Sequence, residues 1–230
     1  MKEVNISEIF LSFQGEGPFI GSRQLFVRFF GCNLNCLYCD TLLSNYKKYT
    51  IDTLLNKLLE FNNLYNELTL TGGEPLLWNK FLKHFLPIFK KHVNVPIYLE
   101  TNGTLDMELK DILDWVDIIS MDFKFPSSSN ESYDFWDAHK RFIDFSKTKD
   151  LIVKVVITDA TKIDDIKKMG QIFLETKVNV PIILQPVTVT GASVNVPDDE
   201  MLLYFKEYIK KEITQDVNII GQIHKIMGVR

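Results

Sequence analysis

Cys32, Cys36 and Cys39 are the only cysteines in the 230-residue chain, and all three fall within eight residues. An odd number packed so tightly argues against a disulfide framework. Spacings of three and then two intervening residues let one loop turn three sulfurs toward a common centre, as zinc and iron-sulfur clusters both require. A cubane has four irons, so three thiolates leave one iron open to a small molecule. A structural zinc instead needs a fourth ligand, and the imidazoles of His84, His92, His139 and His224 are all distant in sequence. The inert alternative is that the cysteines pack as small hydrophobes.

Polar punctuation elsewhere has the same chemical flavour. Thr71-Gly72-Gly73-Glu74-Pro75, Glu100-Thr101-Asn102-Gly103, Asp122-Phe123-Lys124 and Gln185-Pro186 each end an apolar, strand-like segment. Adjacent glycines let backbone approach a ligand closely, and an acid just after them accepts bonds from an ammonium group. Gly-Gly and Asn-Gly alone also read as simple turns. Their recurrence at strand ends favours a site, because chemistry in α/β barrels collects on that rim.

The elements that must hold these groups alternate between extended and helical patterns about every 30 residues, the pattern of βα units around a parallel sheet. Strands are expected at Leu25 to Phe30, Glu67 to Thr71, Pro96 to Glu100, Asp117 to Met121, Leu151 to Ile157, Pro181 to Leu184 and Val217 to Ile220. Ile51, Leu54, Leu55, Leu58 and Leu59 mark one face of a helix that Thr50 can cap. Further helices are expected at Lys80 to His92, Met107 to Leu113, Asn130 to Ser146, Ile163 to Thr176 and Asp198 to Lys211, the last capped by Asp198. The fold class is therefore α/β, a partial, open (β/α)6-type barrel. His84 and His92 fall on an outer helix, and the aromatics read most simply as core.

Composition narrows the partners. Hydrophobic residues make up 46% and charged residues 24%, with 26 basic against 30 acidic side chains, so the chain is globular and carries a net charge of -4. That balance disfavours nucleic acid and anionic membrane as partners. Acids at Glu3 and Glu8 interrupt the place of a signal peptide, and the uncharged run Val178 to Pro197 holds prolines and polar residues unsuited to a membrane helix. A soluble, cytoplasmic, single-domain protein is expected.

Cys32-Asn33-Leu34-Asn35-Cys36-Leu37-Tyr38-Cys39 resembles the cluster loop of radical S-adenosylmethionine (SAM) enzymes, with an aromatic before the last cysteine, and Gly72-Gly73-Glu74-Pro75 is similar to their motif for the SAM amino group. Around them stand Glu8-Ile9-Phe10, Ser12-Phe13-Gln14-Gly15-Glu16-Gly17, Gly21, Phe26-Val27-Arg28, Gly31-Cys32-Asn33 and Cys39-Asp40-Thr41. With Glu100-Thr101-Asn102-Gly103, Lys124, Pro126-Ser127-Ser128 and Gln222-Ile223-His224, the chain resembles the 7-carboxy-7-deazaguanine synthase family over nearly its whole length.

That resemblance implies a [4Fe-4S] cluster on Cys32, Cys36 and Cys39 whose open iron binds SAM. One electron, from a reducing electron-transfer protein, cleaves SAM to a radical that takes hydrogen from 6-carboxy-5,6,7,8-tetrahydropterin. Ring contraction with loss of ammonia then gives 7-carboxy-7-deazaguanine, a precursor of queuosine and other deazapurines. The cofactor carries the hard chemistry while the protein orients substrate and excludes water. The resemblance further implies Mg²⁺ on the Thr41 hydroxyl and a homodimer.

A substrate with a carboxylate and a guanidine-like edge needs a forked cation at one end and an acceptor at the other. Arg28 and Glu16 supply these, with Gln14 adding an amide. An arginine between Val27 and Phe29 in an apolar strand needs an anion, so a structural salt bridge is its alternative. Glu16 is otherwise a solvated loop acid and Lys124 a surface lysine. SAM contacts are assigned to Gly72, Gly73, Glu74, Thr101, Asn102, Ser120, Asp122, Lys124 and Gln185, with Gln185 also facing substrate. The resemblance also implies that residues 1–24 form a substrate-binding segment and that 221–230 is a tail covering the site, bringing His224 and the terminal carboxylate at Arg230 to the pterin. Two other readings stand beside this one: a radical SAM activase that acts on a protein glycine, and a noncatalytic metal-binding module.

Overall fold

The computed structural model describes residues 2–41, 43–129, 133–188 and 194–228. Its elements in chain order are β1 (Glu3–Phe13), β2 (Arg23–Phe29), β3 (Lys47–Thr50), α1 (Ile51–Leu59), β4 (Glu67–Gly72), α2 (Asn79–His92), β5 (Ile97–Thr101), α3 (Asp106–Lys110), β6 (Ile118–Asp122) and α4 (Pro126–Ser129). They continue with α5 (Trp136–Ser146), β7 (Asp150–Ile157), α6 (Ile163–Thr176), β8 (Ile182–Pro186), α7 (Asp199–Glu212), β9 (Val217–Ile219) and α8 (Ile223–Met227).

The strands form one sheet in the order β3-β1-β2-β4-β5-β6-β7-β8-β9, open between β3 and β9. From β2 through β9 every neighbouring pair is parallel, whereas β1 runs antiparallel to both β2 and β3. The seven strands expected from sequence are all present within two residues of their expected ends. Two others, β1 and β3, were not expected, and they extend the parallel sheet at its β2 edge.

Helix ends follow side-chain chemistry. Thr50 and Thr53 cap α1 reciprocally, and Asp198 Oδ1 accepts the Met201 amide at 2.7 Å at the start of α7. The helix expected from Asn130 begins instead at Trp136, and Asn130 itself lies outside the described residues. Helix α3 is one short turn and a half, because Leu113 to Trp115 tightens into a 3-10 turn.

Alternation along the strands sorts side chains onto two faces. Leu25, Val27, Phe29, Leu68, Leu70, Ile97, Leu99, Ile119, Met121, Val153, Val155 and Leu184 join the main core under the helices. The opposite, concave face is divided by depth. Tyr98, Ile118, Ile152 and Ile183 form a small apolar plug, against which Phe19 and Ile220 pack. Above the plug, Phe26, Arg28, Thr71, Glu100, Ser120, Asp122, Lys154 and Gln185 line a cavity of about 850 Å³.

A register shift between Ile6 and Glu8 explains how β1 contributes to both sides. Val4 and Ile6 point into the core before it, and Ile9 and Leu11 pack against the core after it, so Glu8 and Phe10 are turned to the cavity. One inserted residue changes which parity faces inward. Most aromatics are core, as expected, among them Phe29, Phe81, Phe85, Phe89, Phe123, Phe125 and Phe142, while Phe10, Phe13, Phe26 and Tyr38 also line the cavity wall.

Candidate active site

The cysteine loop follows β2 and hangs over the C-terminal ends of the parallel strands. Glycines make that approach possible. Gly72 has φ of +135°, and a Cβ there would strike the Phe29 backbone; a Cβ on Gly73 would strike the Gly31 carbonyl and Cys32. The Gly73 amide donates to Phe29 O at 3.2 Å and the Glu74 amide to Gly31 O at 2.8 Å, stitching the end of β4 to the start of the loop.

Cys32, Cys36 and Cys39 are free thiols, and all three line the cavity. Leu34 N donates to Cys32 Sγ at 3.4 Å, and Cys36 packs beside Tyr38, Val156 and Val187 at the ends of β7 and β8. A polar clasp holds the loop to β5. Asn102 Nδ2 donates to Asn33 Oδ1 at 2.9 Å, and Asn33 Nδ2 donates to Thr104 Oγ1 at 2.8 Å. All three thiols line one cavity, as a cluster that takes one sulfur per iron requires, although among the described residues no three Cys, His, Asp or Glu side chains are drawn together closely enough to hold a metal ion. The histidines weigh against a structural zinc: His84 and His92 are exposed on α2, and buried His139 faces Asn102 O at 3.3 Å. Only His224 among them lines the cavity.

Most of the proposed SAM residues reach the same space. Gly72, Gly73, Thr101, Asn102, Ser120, Asp122, Lys124 and Gln185 line it. Glu74 is different: it is fully buried and turned inward. Its carboxylate accepts Leu76 N at 2.9 Å, Asn102 N at 2.8 Å and the Thr101 hydroxyl at 2.9 and 3.0 Å. Burial pushes its carboxyl up to about 7 even against these donors. In this structure Glu74 braces the Thr101-Asn102 corner beside the cavity.

Lys124 is buried, so it is no surface lysine. Its Nζ donates to Asp122 Oδ2 at 2.8 Å and Tyr38 Oη at 3.2 Å, and lies 4.9 Å from the Tyr38 ring centroid. Burial alone would raise the Asp122 carboxyl, but Lys124 and Lys154 together hold it below its ordinary value. Asp122 Oδ1 and Gln185 Oε1 are buried acceptors with no partner among the described residues. A ligand carrying hydroxyl or amino donors would satisfy them.

On the other wall, Arg28 Nε donates to Glu8 Oε2 at 3.2 Å, and its guanidinium carbon stands 5.5 Å from the Phe10 centroid. Phe10 in turn stacks on Phe26 at 5.1 Å. Gln14 Nε2 donates to Glu100 Oε1 at 2.9 Å while its Oε1 accepts the Gly15 and Glu16 amides. Glu16 is not a solvated acid. Lys154 Nζ donates to its Oε2 at 2.6 Å and Gln222 Nε2 to its Oε1 at 2.8 Å. Burial pushes its carboxyl up, yet Lys154, Gln222 and His224 outweigh that and leave it below the usual value.

The chain's ends meet here. Ile223 N donates to Gly15 O at 2.9 Å, Gln222 Nε2 also reaches Asp40 Oδ2 at 3.1 Å, and Lys225 pairs with Asp40. Gln222, His224 and Lys225 line the cavity, as does Thr41, whose hydroxyl sits 3.4 Å from Asp40 Oδ1. Arg230 lies outside the described residues. Sequence reasoning missed Lys154, the cation at the centre of the concave face. Its signal was a charged residue in the otherwise apolar run Leu151 to Ile157.

Comparisons with known proteins agree with this geometry. Residues 26–158 match the Radical SAM superfamily model. A 7-carboxy-7-deazaguanine synthase of Geobacter sulfurreducens is 33% identical, covering 97% of this chain and 96% of the relative. One of Methanocaldococcus jannaschii is 30% identical, covering 97% and 99% respectively. The crystal structure of QueE from Escherichia coli superposes with a TM-score of 0.64 at 18% identity, covering 96% of this chain and 95% of that one, and supports the fold.

Proposed function

The chain belongs to the 7-carboxy-7-deazaguanine synthase family of the radical SAM superfamily, and from that premise we propose that its cavity contracts the ring of 6-carboxy-5,6,7,8-tetrahydropterin to 7-carboxy-7-deazaguanine with loss of ammonia. The observation that carries the reading is a single cavity with three free thiols on one wall and Arg28, Gln14 and Glu16 on another.

Cys32, Cys36 and Cys39 hold a [4Fe-4S] cluster, and cluster-bound SAM, when present, supplies the radical chemistry. The rest is positioning by this chain. The unpartnered Asp122 Oδ1 and Gln185 Oε1 accept bonds from bound molecules, and Lys124, anchored on Asp122, offers a cation to the SAM carboxylate. Ser120, Thr101, Asn102 and the Gly72-Gly73 backbone complete that half. Arg28 takes the pterin carboxylate through its guanidinium fork, with Phe10 and Phe26 beside it. Gln14, Glu16 and His224 face the heterocycle, and Thr41 would offer a hard hydroxyl oxygen to Mg²⁺.

Residues 1–24 supply the substrate-binding segment, and residues 221–228 close the cavity against water, since α8 is bonded to both Gly15 and Asp40. Cys32 and Cys39 are exposed, so a cluster held there would be open to a reducing protein docked on that side. No helix among the described residues is long and apolar enough to cross a membrane. The active form is a cytoplasmic homodimer, testable by sedimentation.

The deciding experiment is anaerobic incubation of the reconstituted enzyme with SAM, a reductant, Mg²⁺ and the carboxytetrahydropterin. Release of 7-carboxy-7-deazaguanine and ammonia is expected. Reductive SAM cleavage without a deazaguanine would assign the chain to other radical SAM chemistry.

A further inference from the structure

Lys154 stands where the two halves of the cavity meet. It projects from β7 onto the concave face, buried except for its lining of the cavity. Its Nζ lies 2.6 Å from Glu16 Oε2 and 3.7 Å from Asp122 Oδ2. Glu16 belongs to the loop that also carries Gln14, and Asp122 belongs to the end of β6 that carries Lys124. Glu100, bonded to Gln14, adds a third carboxylate to the field around Lys154. No other cation among the described residues pairs with Glu16.

We propose, on the functional reading above, that Lys154 is a positioning residue for pterin turnover, holding Glu16 on the substrate side and Asp122 on the cofactor side in one fixed arrangement. The physical reason is geometric. A carboxylate on a glycine-flanked loop has many rotamers, and an acceptor that must match a planar heterocycle cannot wander by an ångström without losing rate. Lys154 donates to one Glu16 oxygen and Gln222 to the other, which restricts the rotation of the carboxylate. Because β6 and β7 are adjacent strands paired Asp122 to Lys154, the same ammonium ties that carboxylate to the register of the sheet. Asp122 keeps one oxygen without a partner while its other faces both lysines. The arrangement leaves each acid one defined direction in which to meet its ligand.

Removing Lys154 would release Glu16 and leave two buried acids facing each other. The loss should fall on pterin recognition before SAM recognition, since the Glu16 contact is the shorter. It should also travel through Glu16, so Lys154 and Glu16 variants should not have independent effects.

The test uses reconstituted holoenzyme carrying Lys154→Met, Lys154→Arg, Glu16→Gln, or Lys154→Met with Glu16→Gln. Iron content, thermal midpoint, KM and kcat, and anaerobic equilibrium binding of the pterin and of SAM are measured for each. Lys154→Met is expected to keep its iron and weaken pterin binding by about tenfold to a hundredfold, the scale of a lost charged hydrogen bond. SAM binding should change by less than about threefold, and adding Glu16→Gln should cost less than about twofold more. Lys154→Arg, which keeps a cation within reach, should recover pterin binding to within about fivefold of wild type.

Pterin binding in Lys154→Met within about twofold of wild type, or penalties that multiply in the double variant, would overturn the role. If Lys154→Met does not fold, the cycle of Lys154→Gln with Glu16→Gln, which also removes the cation, reads the same coupling, and independent penalties there overturn it equally. A wild-type enzyme that fails to turn over the pterin sinks the functional reading and this role together. Wild-type turnover with an unaltered Lys154→Met sinks the role alone.

Discussion

The imidazole of His224 occupies the space that a Cβ on Gly15 would fill, and the peptide just before it donates from Ile223 N to Gly15 O at 2.9 Å. Two segments more than 200 residues apart are thus interlocked over the cavity. A methyl at position 15 must push His224 and α8 outward. Gly15→Ala should therefore keep its cluster absorption and SAM binding but lose about tenfold or more in kcat/KM for the pterin, the penalty of a small displacement of a binding group. Deleting residues 222 to 230 should mimic it, with SAM cleavage uncoupled from product. A Gly15→Ala enzyme with wild-type product formation would remove α8 from the site.

How much of this was legible in the sequence depended on the range of the signal. The parallel strands and α6 could be read because each carries its own periodicity, and Thr50 and Asp198 could be read as caps because their partners lie three residues away. Strand β1 was hidden because the register shift after Ile6 breaks its alternation and puts Ser7 and Glu8 in the middle of it. The bond from Glu74 to the Thr101-Asn102 corner was hidden because its partners are 27 and 28 residues away, a distance at which sequence shows no pairing. Lys154 needed only the argument already applied to Arg28, that a cation in an apolar strand must have an anion.

Cys32→Ala, Cys36→Ala and Cys39→Ala should each abolish turnover and leave less than full iron and sulfide after reconstitution, because a three-thiolate site holds no spare protein ligand. Absorption and iron analysis read this directly. Full cluster content in any of the three would place that cysteine outside the ligand set.

Arg28→Lys should weaken pterin binding by about 1.5 to 3 kcal/mol, because an ammonium cannot make the two parallel bonds of a guanidinium. Glu8 will still find a cation in the variant, so folding should survive, and the thermal midpoint checks that. Unchanged pterin affinity would make Arg28 a partner of Glu8 alone.

The last expectation concerns acid stability and His139. The ring is fully buried on α5, packed 4.2 Å from the Phe123 ring centroid, with Nε2 facing Asn102 O at 3.3 Å and Nδ1 without a partner among the described residues. Burial pushes its pKa down to about 3 from 6.5. The unfolded chain therefore takes a proton near pH 6.5 that the folded chain refuses until near 3, so this residue's contribution is present above 6.5 and is lost as pH falls through that window. Over the full window the loss is on the order of several kcal/mol, and by pH 5.5 it is already on the order of 1 kcal/mol. Glu74, raised to about 7, acts in the opposite sense, because the folded chain binds its proton more tightly. Its effect is shared by wild type and a His139→Phe variant and cancels in their difference. Urea unfolding of the two proteins between pH 7.5 and 5 should show wild type losing stability relative to His139→Phe as pH falls. Parallel stability curves would mean that His139 accepts a proton in the folded protein.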